Sequence, residues 1–206
     1  AMKALGITHN DEVITAPNSF IASAGAINAV GATPVFADVC EDHNINPSEI
    51  EKKITSKTKA IMPVHLTGRP ADMVGINDIA KRYNLFVLED SAQAIGASLH
   101  GHPTGSLGDL GCFSLHPLKN LFVMGDGGFI TVSCPWLYKK IISLRNHGLM
   151  DRNVCTSYGY NSRLDEIHCA IGLEKLKLFD TITKRFIEIA NRYRKGLNKI
   201  VMCPTD

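Results

Sequence analysis

The apolar run Leu85-Phe86-Val87-Leu88 leads into Glu89-Asp90, and further along come Phe113-Ser114-Leu115-His116-Pro117-Leu118-Lys119-Asn120 and Gly125-Asp126-Gly127-Gly128. This stretch offers a carboxylate, a hydroxyl and an amine. A pyridoxal phosphate site needs those groups: Asp for the pyridinium nitrogen, Ser or a backbone nest for the phosphate, and Lys for a Schiff base. No metal or thiol is required.

Each residue also has a plainer reading. Asp90 ends a predicted buried strand, where open α/β sheets place their ligands, and it either pairs with a ring nitrogen or caps the next turn. Most lysines are solvated. Around Lys119, however, Phe113, Leu115, Pro117, Leu118, Leu121, Phe122 and Val123 are apolar, and only a neutral amine attacks an aldehyde to form an imine. Ser114 is a phosphate ligand or a strand serine bonded to backbone. Gly125, Gly127 and Gly128 form an anion nest or, more simply, a tight turn. Their pattern is neither a dinucleotide fingerprint nor a Walker loop. Phe20 stacks on a flat ring or belongs to the core. The eight histidines form no H-x-x-x-H pair, which argues against a metal site; His65 and His147 read as structural.

The elements that must position these groups follow from periodicity. Short β-branched or aromatic runs at 12–15, 33–37, 60–64, 85–88, 111–114 and 129–132 look like buried strands. Between the first four lie helical patterns at 19–30, 47–54 and 71–83, the second with Asn46 as cap, Pro47 at its first position and Glu49 in its first turn. Alternation of strand and helix predicts an α/β fold with a mostly parallel sheet flanked by helices. From Pro135 onward the chain turns helical, with patterns beginning at Leu137 and spanning 164–179 and 183–200. Residues 148–163 are polar and read as an exposed loop long enough to reach a neighbouring molecule.

With 206 residues and 45% apolar content, the chain has enough material for a substantial core. Its net charge of +2 comes from scattered residues, so it lacks the electrostatic footprint for nucleic acid or an anionic membrane. Six cysteines at irregular spacings, with no C-x-x-C pair and no signal peptide at the start, read as reduced and cytoplasmic. No apolar run reaches membrane-spanning length. Ala1 to Gly6 resembles the last turns of a helix closed by glycine.

The motifs Asp11-Glu12-Val13-Ile14, Pro63-Val64-His65-Leu66-Thr67-Gly68, Glu89-Asp90-Ser91-Ala92-Gln93-Ala94, Gly105-Ser106-Leu107-Gly108-Asp109, Phe113-Ser114 to Lys119-Asn120, Arg145-Asn146-His147-Gly148 and Gly159-Tyr160-Asn161-Ser162-Arg163 run in order over nearly the whole chain. Together they resemble the DegT/DnrJ/EryC1/StrS family of nucleotide-sugar aminotransferases, of the fold type I pyridoxal phosphate class. The resemblance implies a division into a fold type I cofactor-binding major domain over 1–180, short of its N-terminal segment, and a helix over 181–206 leading to a C-terminal small domain that is mostly absent. It also implies Lys119 as the catalytic Schiff-base lysine, Asp90 at the pyridine nitrogen, Gln93 near the phenolic oxygen and Ser114 at the phosphate. Phe20 matches the ring-stacking aromatic. Asn161 matches a residue that crosses a homodimer to the partner's cofactor phosphate. The implied reaction moves an amino group, usually from glutamate, to a ketone on a nucleotide-linked sugar, for lipopolysaccharide, other surface glycans or antibiotics. The chain departs from the family in lacking the upstream glycine-threonine phosphate segment and most of the small domain, and in the apolar Leu118 and Leu121 to Met124 around the lysine. Two other readings stay open: a non-catalytic remnant serving as a cofactor-binding or dimerisation module, and a pyridoxal phosphate sugar dehydratase, in which family relatives carry histidine in place of the lysine.

Overall fold

The computed structural model describes residues 1–203. They divide into two compact units: Ala1–Ser114 with Gly128–Leu164, and Leu115–Gly127 with the residues from Asp165 onward.

The first unit is built on a six-stranded sheet of β1 (Glu12–Thr15), β2 (Thr33–Phe36), β3 (Thr58–Met62), β4 (Phe86–Asp90), β7 (Leu110–Ser114) and β8 (Gly128–Val132), in the order β2-β1-β3-β4-β7-β8. The first five strands pair in parallel, and β8 runs antiparallel on the edge beside β7. A small antiparallel hairpin, β5 (Ser98–Leu99) with β6 (His102–Pro103), lies between β4 and β7 in the chain.

Alternation along each strand sends neighbouring side chains to opposite faces, and both faces are buried at the central strands; β2 and β8, expected to be buried, lie at the sheet edges and hold no fully buried residue, with Phe36, Phe129 and Ile130 each more than a third exposed. Val13, Ala60, Met62, Leu88 and Leu110 enter one core with Ile27 of α1 (Ala22–Ala29) and with Leu137 and Leu144 of α4 (Pro135–Leu144). Ile14, Ile61 and Val87 enter a second core with Ile50 of α2 (Pro47–Glu51) and with Ile76, Ile79 and Ala80 of α3 (Met73–Tyr83). The α2 cap is the expected one: the Asn46 side chain accepts from the Ser48 N–H, with Pro47 at the first helical position. Asp72 caps α3 by accepting from the Gly75 N–H, and left-handed Asn84 closes that helix.

In the second unit the helical patterns expected at 164–179 and 183–200 are a single 32-residue helix, α5 (Glu166–Leu197). The reason is local: Asp180-Thr181-Ile182 contains neither glycine nor proline, so nothing ends the helix there. No residue of α5 is fully buried. Among the described residues no helix is long and apolar enough to cross a membrane.

Candidate active site

Asp90 ends β4 in the middle of the sheet, and its backbone is held on both sides. Its N–H donates to the Pro63 carbonyl at 2.9 Å, and its carbonyl accepts from the His65 N–H at 3.1 Å. Strand parity places its side chain with Leu88, on the face covered by α1. There Oδ2 accepts from the Ser23 hydroxyl at 2.7 Å and Oδ1 from the Ala92 N–H at 3.1 Å. Asp90, Ser23 and Ser114 line one cavity of about 410 Å³ with Met62, Leu88 and Phe113. Among the described residues no cation pairs with the Asp90 carboxylate.

Glu89, one residue earlier, points to the other face and is fully buried. His65 Nδ1 accepts from the Ala71 N–H at 3.1 Å, so the ring proton sits on Nε2, which donates to Glu89 Oε2 at 2.9 Å. The same oxygen accepts from the Gly105 N–H, and Oε1 accepts from the Leu107 and Gly108 N–H groups, at 2.6 to 2.7 Å. Burial pushes the Glu89 carboxyl up, but the bonds from His65, Gly105 and Gly108 outweigh it and hold the group below its ordinary value. The pair straps the 105–108 turn and the end of β3 to β4. His65 is thus structural, as its sequence context suggests. Burial also pushes the Cys112 thiol, on the cavity wall, up to about 11.

Gln93 Oε1 accepts from the Thr67 N–H at 2.7 Å, which fixes the carboxamide and leaves its NH2 as a donor for another acceptor. Thr67 does this from φ 55°, a left-handed conformation costly for a β-branched residue. Phe20 is 70% exposed and so is not the core aromatic of its plainer reading. Asn161 lies at the base of the expected exposed loop, where it bridges to Asn146. One guanidinium holds both: Arg163 Nε donates to Asn161 Oδ1 at 3.1 Å, and Nη1 to Asn146 Oδ1 at 3.3 Å.

Lys119 belongs to the second unit, half-buried on the 115–127 loop. That loop is closed by Leu115 N–H donating to the Gly127 carbonyl at 2.8 Å, and its Lys119 N–H donates to the His116 carbonyl at 2.9 Å. It rests on the first turns of α5 through three residues at helical spacing. His168 packs where a Gly125 Cβ would be, Gly172 faces Val123, and the Lys175 amine lies 4.3 Å from the Phe122 ring centre. Among the described residues the Lys119 amine has no ion-pair partner. The apolar surroundings expected of it are mixed: Leu115, Leu121 and Val123 are buried, while Leu118 is 87% exposed. Gly125, Gly127 and Gly128 all keep negative φ, and at Gly125 and Gly128 the glycine answers a need for space: a Cβ on Gly128 would lie 2.5 Å from the Phe113 carbonyl oxygen.

The model of the DegT/DnrJ/EryC1/StrS aminotransferase family matches residues 1–205. The chain belongs to this family. It is 49% identical over 172 residues to the UDP-N-acetyl-3-dehydro-alpha-D-glucosamine 3-aminotransferase of Acidithiobacillus ferrooxidans, covering 83% of this chain and 47% of that protein. It is 47% identical over 206 residues to the dTDP-3-amino-3,6-dideoxy-alpha-D-galactopyranose transaminase of Aneurinibacillus thermoaerophilus, covering 99% and 57%. The crystal structure of S. venezuelae DesV in complex with a ketimine intermediate superposes with a TM-score of 0.95 at 38% identity, covering 100% of this chain and 56% of that one. The chain spans about half the length of the curated relatives it matches.

The DegT/DnrJ/EryC1/StrS family is pyridoxal phosphate-dependent, and the residues present suit that cofactor. An oriented carboxylate without a counter-ion, at a cavity with an apolar wall, is the complement of a protonated pyridine ring. No group of three or more His, Cys, Asp or Glu among the described residues is arranged to hold a metal. Sequence reasoning missed Ser23, Thr67 and Arg163. The first had a signal: a serine four residues after Ser19, in a stretch whose only other polar residue up to Ala29 is Asn28.

Proposed function

We propose that this chain is the cofactor-binding portion of a nucleotide-sugar aminotransferase, which transfers an amino group from an amino acid, glutamate in the first instance, to a keto group of a nucleotide-linked sugar. The observation that carries the reading is the Asp90 carboxylate, held by Ser23 and Ala92 and unpaired with any cation among the described residues. Family membership and a lysine at position 119 support it.

Pyridoxal phosphate, when bound, supplies the electron sink that makes a carbon next to an amine acidic. The chain does the rest. Asp90 holds the proton on the ring nitrogen, and the free NH2 of Gln93 donates to the phenolic oxygen. Exposed Phe20 covers one ring face. Ser114 would contact the phosphate, joined in a homodimer by the partner's copy of the Asn161 loop, where Arg163 occupies the carboxamide oxygen and leaves the NH2 as donor. Lys119 would tether the cofactor through Nζ, and the same amine, when free, would take up and return the proton at the reacting carbon.

The deciding experiment is borohydride reduction after incubation with pyridoxal phosphate, followed by peptide mass mapping. The expected outcome is a cofactor mass on the Lys119 peptide and none in Lys119→Ala. Absence of that mass in the unaltered chain would sink the catalytic reading.

A further inference from the structure

We infer that Ser23 is a positioning residue for the reaction, with Ser19 behind it. Its hydroxyl, oriented by Ser19, fixes the Asp90 carboxylate in the rotation that presents it to the cofactor's ring nitrogen. This rests on the pyridoxal phosphate reading above. An ionised carboxylate only accepts, so the 2.7 Å contact obliges Ser23 to donate its single proton to Asp90 Oδ2. The Ser23 oxygen is then left to accept, and Ser19 Oγ, 3.3 Å away and four residues earlier in the turn before α1, becomes the donor. The direction is therefore set along Ser19, Ser23 and Asp90.

A serine in a helix can return its proton to the carbonyl four residues back. Ser23 instead spends it on a residue sixty-seven positions away, from a site only 6% exposed on the first turn of α1. On the other oxygen the Ala92 N–H completes the grip. With both backbone groups of Asp90 also engaged, neither the chain nor the carboxylate can turn without breaking a hydrogen bond. The arrangement spreads negative charge over two donors without adding a cation to neutralise it, so the carboxylate remains fit to hold a protonated nitrogen.

The test compares the unaltered chain with Ser23→Ala, Ser23→Thr and Ser23→Cys. Two properties are read: the dissociation constant for pyridoxal phosphate, and the nitrogen-15 resonance of bound cofactor labelled at the ring nitrogen. Loss of a hydrogen bond to a charged group predicts about tenfold weaker binding for Ser23→Ala. Its ring-nitrogen resonance should move toward the unprotonated position at the same pH, while borohydride still fixes cofactor on Lys119. Ser23→Thr, which keeps the hydroxyl, should restore both properties. Ser23→Cys, close in shape but a weak donor, should follow Ser23→Ala in the resonance and so guards against a packing defect in the alanine variant. Unchanged affinity and resonance in Ser23→Ala would overturn the inference, as would equal losses in Ser23→Thr. Failure of the unaltered chain to take up cofactor is a different result: it removes the pyridoxal phosphate reading and this inference with it.

Discussion

Two adjacent carboxylates, Glu89 and Asp90, take opposite roles because strand parity sends them to opposite faces of one strand. Glu89 is sealed among four donors and fixes the scaffold; Asp90 meets two donors at a cavity and keeps its charge unpaired. Replacing Glu89 by Gln turns one oxygen into an NH2 facing donors, which should cost about 3 kcal/mol at neutral pH, read from the urea midpoint. The pH dependence has a definite sign. The folded Glu89 carboxyl titrates below its ordinary value of 4.5, so its contribution is complete above that value and is lost as pH falls through the folded one. Glu89→Gln should therefore show a shallower loss of stability below about pH 4.5. At Cys112, a rise from 9.0 to about 11 leaves a hundredfold less thiolate. Alkylation at pH 8 should accordingly label Cys134 and Cys155, which are exposed, at least about a hundredfold faster than Cys112. Equal labelling by peptide mapping would contradict the buried environment.

At the scale of elements, legibility followed from how local each determinant is. Strands β1, β3 and β4 are readable because a buried strand is a short apolar run, β2, β7 and β8 because their runs stay β-branched or aromatic even where, as in the edge strands β2 and β8, no residue is fully buried, and α2 because its cap is written in Asn46-Pro47-Ser48. The β5–β6 hairpin was not, since two residues per strand carry no period. Asp90, Ser114 and Lys119 stood out by type and position. Ser23 and Thr67 act only through partners distant in the chain, at Asp90 and Gln93, and no local pattern reports that. The 148–163 loop shows the same dependence. Gly148 has φ 82°, and a Cβ there would collide with the Ser157 carbonyl. The loop's base is laced by His147 N–H to the Tyr160 carbonyl and Tyr160 N–H to the Leu144 carbonyl. Gly148→Ala should open this loop locally, giving several-fold faster proteolytic cleavage within residues 149–158 and little change in the melting temperature of the sheet. An unchanged cleavage rate would mean that the lacing does not hold the loop.

Across the whole molecule, stability is unevenly supplied. The first unit buries apolar side chains on both faces of its sheet. In the second, α5 is 32 residues long yet has no fully buried residue, and Leu173, Leu176, Phe186 and Ile187 are all more than half exposed. Helices in proteins draw most of their stability from packing an apolar face, so α5 depends on propensity and on the contacts of its first turns with the 115–127 loop. Its distal half, beyond Asp180, should therefore exchange amide hydrogens at least about tenfold faster than β1, β3 and β4 in dilute protein, because local opening there exposes little apolar surface. Measured by mass spectrometry over a concentration series, protection that grows along α5 with concentration would report self-association through that helix. Protection equal to that of the sheet at every concentration would contradict the uneven distribution of stability, and would require packing along α5 that its exposed leucines and phenylalanine do not show.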